Sequence, residues 1–197
     1  MSFFIRTVPY SEATGQLREF YEDDIKNLGV PSNTTRSFSL RPELWEAWMG
    51  LVKAIRKKTR LRDYELTTFA AAREMGCTFC MLAHGAVLQK NSVAAAQLEA
   101  MGRDFHHAGL EEKEVLMMDY AQKVVRDASS TTQDDFDRLR AAGWTDEDIL
   151  NITVTAAARA FASKVFDALS ADADPIYTDL DAETHHALIG KRPFVPG

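Results

Sequence analysis

Start and stop signals for helices recur along most of this chain of 197 residues, and they constrain its fold more than any other feature. Pro42 stands where a first-turn proline belongs and opens the segment PELWEAWMGLVKAIRKK. The apolar residues of this segment fall along one stripe at helical spacing: Leu44, Trp48, Leu51, Val52 and Ile55. The pattern predicts an amphipathic helix whose stripe faces a core.

Other segments carry the same signals. Thr132 and Thr145 are candidate N-caps, and Thr145 is followed by three acids that suit the first turn of a helix. The segment after Thr145 contains several β-branched residues, but its length and its alanines favour a long helix over a strand. Gly29 and Gly76 are predicted helix ends. Further helices are expected after the candidate caps Ser11, Asp63 and Ser92, and over residues 77–90 and 111–127.

The signals weaken near the C-terminus. Beyond Asp174 the periodicity is lost, so we expect an irregular or partly extended tail over residues 175–197 that packs on a neighbour. Four apolar residues of this tail would be unfavourable in water: Ile176, Tyr177, Phe194 and Val195. The chain has no repeats or obvious linkers. We therefore predict a single all-α domain over residues 1–197, with its core motif region at about 45–110.

The composition disfavours several classes of protein. Hydrophobic residues make up 46% and charged residues 26%, as in ordinary folded domains. The net charge of −6 disfavours nucleic acid and anionic membranes as partners, and the basic stretch 53–62 is interpreted as a solvated helix end. No apolar run approaches the roughly 20 residues that span a bilayer, and the N-terminus lacks the pattern of a signal peptide. We expect a cytoplasmic protein that binds neither nucleic acid nor membrane.

The only two cysteines, Cys77 and Cys80, lie with His84 in the stretch EMGCTFCMLAHGAVLQ. A Cys-x-x-Cys pair in a cytoplasmic chain suggests redox work or metal binding. If residues 77–90 are helical, the three side chains fall within an arc of about 60°. A helix start favours thiolate over thiol, and an imidazole one turn beyond Cys80 could take up or return a proton. These residues predict a redox dithiol with a base beside it.

Two other interpretations of the same residues stay open. Both cysteines could be small core residues, with His84 a satisfied polar group. Alternatively, the three could bind zinc, which needs four ligands, and His106–His107 or a carboxylate would have to complete the set. The chain has no second Cys-x-x-Cys, and this spacing is not that of a common structural zinc site. We therefore expect no metal and no cofactor.

The segment ELTTFAAAREMGCTFCMLAH resembles the core motif of the alkyl hydroperoxidase D (AhpD)-like branch of the carboxymuconolactone decarboxylase superfamily. That motif has a glutamate twelve residues before the first cysteine, followed by Cys-x-x-Cys-x-x-x-His. Glu65 stands at the matching distance from Cys77, and His84 stands seven residues after it. The match covers about 20 residues, and the helices that follow it are similar to those of peroxidase-related members of the group.

The resemblance implies an all-helical, oligomeric AhpD-like domain that reduces organic or hydrogen peroxides in antioxidant defence. In such proteins the second cysteine, here Cys80, attacks the peroxide and becomes a sulfenic acid, which Cys77 captures as a disulfide. His84 and Glu65 would form the proton relay. The implied partners are a peroxide substrate, an unknown dithiol electron donor and further copies of the chain, in a dimer, trimer or hexamer. Phe79 departs from the best-known members, which carry a histidine between the cysteines.

The residues and the resemblance differ over the nucleophile. The helix dipole favours Cys77, which is nearer the helix start, whereas His84 is one turn from Cys80 and two from Cys77. We predict that Cys80 is the nucleophile. Without the resemblance, Glu65 would be interpreted as an ordinary acid in the first turn of a helix.

Two other functions compete with that of a peroxidase. A decarboxylase is disfavoured because branches with that activity are expected to lack the cysteine pair, and a non-enzymatic redox sensor or assembly protein is the other alternative.

The remaining residues are expected to be structural: Glu74 at the surface, Trp45, Trp48 and Trp144 in packing, His106–His107 in a loop and His185–His186 in the tail.

Overall fold

A computed structural model describes residues 3–177 and 180–191, and within those ranges the regular structure is helical, without strands. The α-helices are α1 Gly15–Leu28, α2 Asn33–Ser37, α3 Pro42–Arg56, α4 Leu61–Met75, α5 Thr78–Lys90, α6 Ala95–Asp104, α7 Glu112–Asp127, α8 Gln133–Ala141, α9 Asp146–Leu169 and α10 Ala182–Ala187. Short 3₁₀ turns lie at Tyr10–Glu12, Phe105–His107, Ala128–Ser130 and Pro175–Tyr177. The predicted all-α fold class is confirmed.

Several predicted helix ends are confirmed. Pro42 is the first residue of α3. Thr132 and Thr145 both form capping boxes, in which the threonine side chain and the third helical residue satisfy each other's backbone N–H groups. Gly76 ends α4 in the left-handed conformation with φ of 68°, which glycine adopts without steric cost. Gly29 ends α1 in the same way.

Three predicted caps are wrong. The helix α1 begins after Thr14 rather than Ser11, and α6 begins after Ala94 rather than Ser92. The helix α4 begins after Arg60, so Asp63 lies inside its first turn. Instead of capping backbone N–H groups, the Asp63 carboxylate accepts two hydrogen bonds from the Arg60 guanidinium, at 2.6 and 3.1 Å.

The helix α4 lies at the centre of the domain. Its residues from Asp63 to Ala72 are all buried, and it packs against α5, α7 and α9. Ala70, Ala71 and Ala72 have no exposed surface, and such small side chains let neighbouring helices approach closely. A helix that is buried on every side belongs to a core, so the side chains that α4 presents to α5 and α9 are shielded from water.

The helix α9 is the longest in the described part of the chain. It is long and apolar enough to cross a membrane by length and composition, an exception to the expectation that no such run exists. However, 44% of its most apolar window is buried inside the domain, and Arg159 lies buried within it. Ile149, Ile152 and Phe166 of the same helix contribute to the hydrophobic core. These are the features of the core helix of a soluble protein.

The described part of the C-terminal tail differs from the irregular segment expected over 175–197. It contains α10, which packs against α6, followed by the fully buried Leu188. The Gly190 N–H donates to the Thr78 hydroxyl at 2.9 Å, and the Lys191 N–H donates to the Gly76 carbonyl at 2.8 Å. The tail therefore packs on the start of α5 in its own chain. The apolar residues Phe194 and Val195 lie outside the described residues.

The docking of α10 depends on a glycine in α6. A Cβ atom on Gly102 would lie 2.6 Å from the backbone carbonyl oxygen of Ala187. This contact is too short, and the backbone of α6 or α10 would have to shift to relieve it. We expect Gly102→Ala to displace α10 and to lower the free energy of unfolding by about 1–3 kcal/mol, the usual cost of overpacking. The measurement is denaturant unfolding followed by circular dichroism.

The matched control is Gly50→Ala in α3, where an added Cβ meets no atom within 4 Å. Because alanine is the better helix former, this variant should gain about 0.5–1 kcal/mol. Equal effects of the two substitutions would contradict the close approach of α10 to Gly102.

Candidate active site

The two cysteines lie at the junction between α4 and α5. Gly76 reverses the chain after α4, and Cys77 is the N-cap of α5 with an extended backbone, φ −82° and ψ 101°. Cys77 therefore does not share the helical arc expected for it. The thiol of Cys77 nevertheless hydrogen-bonds to the sulfur of Cys80, which lies in the first turn of α5. The turn thus brings both sulfurs together at the positive end of a helix dipole.

Both cysteines are free thiols without exposed surface. A small molecule would therefore have to reach Cys80 through the edge of the site rather than across open surface. His84 lies nearer that edge, with 15% of its side chain exposed.

Glu65 and His84 form a pair between α4 and α5. The Glu65 Oε2 atom lies 2.7 Å from the His84 Nδ1 atom, and Glu65 is buried. A buried carboxylate needs hydrogen-bonding partners, and within residues 3–177 and 180–191 His84 supplies one. Glu65 is therefore not the solvent-facing first-turn acid that its position alone would indicate. The ring of Tyr64 lies edge-on to His84, with centroids 6.5 Å apart.

The opposite wall of the site comes from α9, and sequence reasoning missed it. The Ser163 hydroxyl donates to the Cys80 Sγ atom at 3.2 Å. The Arg159 Nη1 atom also donates to that sulfur, at 3.7 Å, and both residues are buried. One feature of the sequence indicated this wall. Arg159 is the single cation within the run TAAARAFAS, and a charged residue on a core helix needs a partner when it is buried.

The environment shifts the pKa values of the two thiols in opposite directions. Burial opposes ionisation of Cys80 most strongly, but the hydrogen bond from Cys77, the charges of Arg159 and His84 and the Ser163 hydroxyl together lower its pKa to about 6. The pKa of Cys77 is raised, first by its hydrogen bond to Cys80 and then by burial. Near neutral pH, Cys80 is therefore a thiolate and Cys77 a thiol.

Phe79 belongs to the core rather than to the site chemistry. Its ring packs against Phe166 of α9, with centroids 4.9 Å apart, and it is buried. A phenyl ring cannot carry a proton, so the position between the cysteines serves the packing of α5 on α9.

The other candidate residues lie apart from the cysteines. Glu74 pairs with Arg126 at 2.7 Å. His106 and His107 lie in a 3₁₀ turn, where both bond to Asp104, and bonding to Asp104 raises the pKa of His106. The histidines at 185 and 186 lie in α10 rather than in an irregular tail.

The described residues offer no ready place for a metal. Across residues 3–177 and 180–191, no group of three or more histidine, cysteine or acidic side chains is arranged to hold an ion.

The expected packing role of the tryptophans agrees with the structure. Trp48 and Trp144 are buried in the core, and Trp45 is partly buried and stacks on Phe38 at 5.5 Å between centroids.

No protein-family model matches the sequence, and no curated protein matches it. Solved structures do. A crystal structure of an AhpD core, an uncharacterized peroxidase-related protein from Ralstonia eutropha JMP134, superimposes with a TM-score of 0.83 at 18% identity, covering 96% of this chain and 98% of that one. The fold is that of the AhpD core. The resemblance drawn from Glu65, Cys77, Cys80 and His84 is thus confirmed for the fold.

Three further solved structures also match most of the chain. An uncharacterized peroxidase-related protein from Silicibacter sp. TM1040 gives a TM-score of 0.78 at 20% identity, covering 87% of this chain and 92% of that one. The debrominase Bmp8 gives a TM-score of 0.71 at 17% identity, covering 94% of this chain and 97% of that one. A variant of Bmp8 in complex with 2,3,4-tribromopyrrole gives 0.69 at 18% identity, covering 95% and 97% of the two chains. Proteins with this fold therefore include peroxidase-related proteins and a debrominase.

Proposed function

We propose that the protein is a thiol-dependent peroxidase that reduces organic or hydrogen peroxides through the Cys77–Cys80 dithiol. The observation that carries the proposal is the environment of Cys80, whose sulfur accepts hydrogen bonds from Ser163 and Arg159 while its partner thiol lies beside it. A thiolate is the form of cysteine that attacks peroxides. The reducing cytoplasm is the compartment in which such a dithiol is regenerated.

The first step is attack of the Cys80 thiolate on a peroxide oxygen. The S–O bond forms as the O–O bond breaks, which leaves a sulfenic acid on Cys80 and an alkoxide that takes up a proton to become an alcohol. We assign the supply of this proton to His84, because its Nδ1 atom is held by Glu65 and its side chain reaches the partly exposed edge of the site.

The second step is capture of the sulfenic acid by Cys77. Its sulfur attacks that of Cys80, the hydroxyl leaves as water with a proton, and a disulfide forms. In total, one thiolate, one thiol, one peroxide and one proton give a disulfide, an alcohol and water, and two electrons pass from the sulfurs to the oxygens. A dithiol donor then reduces the disulfide by thiol–disulfide exchange.

Mass spectrometry after one equivalent of tert-butyl hydroperoxide tests the assignment of the two cysteines. We expect a Cys77–Cys80 disulfide in the wild type, a trapped sulfenic acid on Cys80 in Cys77→Ala, and no reaction in Cys80→Ala. Sulfenic acid on Cys77 in the Cys80→Ala variant would reverse the two roles. Continuous consumption of peroxide with a dithiol donor distinguishes an enzyme from a redox sensor, which reacts once per thiol pair.

A second candidate function is reductive removal of halogen from an aromatic ring. The observation that favours it is the similarity in fold to the debrominase Bmp8 over nearly the whole of both chains. A buried thiolate with a thiol beside it could attack a bromine atom, and the ring carbon would take a proton as the C–Br bond breaks. Cys77 would then displace bromide from the Cys80 sulfur and form the same disulfide.

The release of bromide from 2,3,4-tribromopyrrole in the presence of a dithiol donor tests this second function. If the protein is a debrominase, bromide should appear in proportion to the donor consumed, and Cys80→Ala should release none. If it is a peroxidase alone, bromide release should match that of a protein-free control, whereas the same preparation consumes tert-butyl hydroperoxide.

Assembly into a homo-oligomer is part of the proposal. Several large apolar side chains lie exposed on the single chain, among them Leu44, Leu51 and Phe161. Contact between copies would remove such surface from water.

A further inference from the structure

Arg159 is a buried cation at the centre of the domain. It lies on α9 with 7% of its surface exposed. Its Nη1 atom lies 3.7 Å from the Cys80 sulfur, and its guanidinium lies 5.9 Å from the centroid of the Trp48 ring. Its buried Nε atom finds no hydrogen-bond partner among the residues that the structure describes.

A buried guanidinium normally pairs with a carboxylate, because removing an uncompensated charge from water is strongly unfavourable. In the part of the chain that the structure describes, no aspartate or glutamate forms an ion pair with Arg159. The groups whose charges act on it are Cys80 and Tyr64. Among the described residues, the group that lies against the guanidinium and balances its charge is the Cys80 sulfur, 3.7 Å from the Nη1 atom.

We propose that Arg159 is the counter-ion of the Cys80 thiolate, and that the loss of this ion pair on oxidation makes the Cys77–Cys80 disulfide a strong oxidant. The inference rests on the proposed function, since it concerns the same dithiol. Arg159 touches the reacting sulfur and is thus a catalytic residue of that reaction. Its contribution is to the energy of the reduced state as well as to the reactivity of Cys80.

The redox step changes the charge beside Arg159. Reduced Cys80 carries one negative charge, whereas the disulfide carries none, because the thiolate and the Cys77 thiol give up two electrons and one proton. The guanidinium then lies buried without a counter-ion. This cost falls on the oxidised state alone, so it shifts the equilibrium with any external thiol toward the dithiol. Reduction of the protein disulfide by its external donor is therefore favoured, because the disulfide has a raised reduction potential.

The other groups around the sulfur cannot supply this effect. Ser163 donates a hydrogen bond but is neutral. Cys77 is itself consumed in the disulfide. His84 also contributes positive charge, but the Glu65 carboxylate at 2.7 Å offsets it. Of the described residues whose charges act on Cys80, Arg159 is the one that stays charged in both redox states.

The first test compares the stability of the wild-type protein in its two redox states. A disulfide ordinarily stabilises a protein by restricting the unfolded chain. We expect the opposite here: thermal unfolding of the fully reduced protein should occur at a higher temperature than that of the oxidised protein, at neutral pH. An oxidised form that is equally or more stable would overturn the proposal. This test requires no variant.

The second test is the redox equilibrium with glutathione in folded variants. Arg159→Met keeps the length and apolar contacts of the side chain but removes its charge. The equilibrium constant should shift at least tenfold toward the protein disulfide, which corresponds to a fall of about 30 mV in reduction potential. Arg159→Lys retains a charge and should stay closer to the wild type.

Two controls separate charge from other effects. Ser163→Ala removes a neutral hydroxyl from the same sulfur and should give a smaller shift than Arg159→Met. Arg126→Met makes the same chemical change at an exposed arginine that pairs with Glu74, and it should leave the equilibrium unchanged. A folded Arg159→Met variant with the same potential as Arg126→Met would overturn the proposal.

Neither measurement uses a peroxide, so their outcomes are independent of the proposed activity. A protein with a strongly oxidising disulfide that does not consume peroxide would refute the peroxidase and retain the role of Arg159. If the protein consumes peroxide but Arg159→Met leaves the reduction potential unchanged, the peroxidase is supported and the role of Arg159 is refuted.

Discussion

The burial of the Cys80 sulfur between α5 and α9 is the constraint on which the rest of the site depends. A thiolate removed from water is stable only where donors and positive charge replace its hydration. The first turn of α5, the Ser163 hydroxyl and the Arg159 guanidinium do so here. These groups come from helices far apart in sequence, so the site exists only when α9 is packed against α5. Folding and the reactivity of the thiol are thereby coupled.

The same packing separates the tasks of the two cysteines. Cys80 faces positive charge and is ionised, whereas Cys77 donates its hydrogen to that sulfur and stays protonated. The proposed roles of nucleophile and resolving thiol need these different states at the same pH. Glu65 and His84 lie beside the cysteines as a separate pair, so the proposed reaction assigns proton transfer and stabilisation of the thiolate to different residues.

Much of the fold could be predicted from local sequence, because helix caps act over three or four residues. Pro42, Gly76 and the capping box of Thr145 begin or end helices where expected. The spacing of Glu65, Cys77, Cys80 and His84 indicated their proximity through a resemblance to a family. The positions of Arg159 and Ser163 could not be predicted in this way. Which side of α9 packs against α5 depends on the packing of the whole domain. The helix α10 was missed because its six residues carry too little periodicity, and its position depends on contacts with α6.

The central claim is that Cys80 reacts as a thiolate stabilised by the fold. The most direct test is the pH dependence of the rate of disulfide formation in a single turnover with hydrogen peroxide, followed by stopped-flow fluorescence. The rate should rise through a midpoint near pH 6, the value to which the fold lowers the pKa of Cys80, and then stay constant up to neutral pH. A rate that instead rises only through about pH 8.5, as for an unperturbed cysteine, would contradict the account.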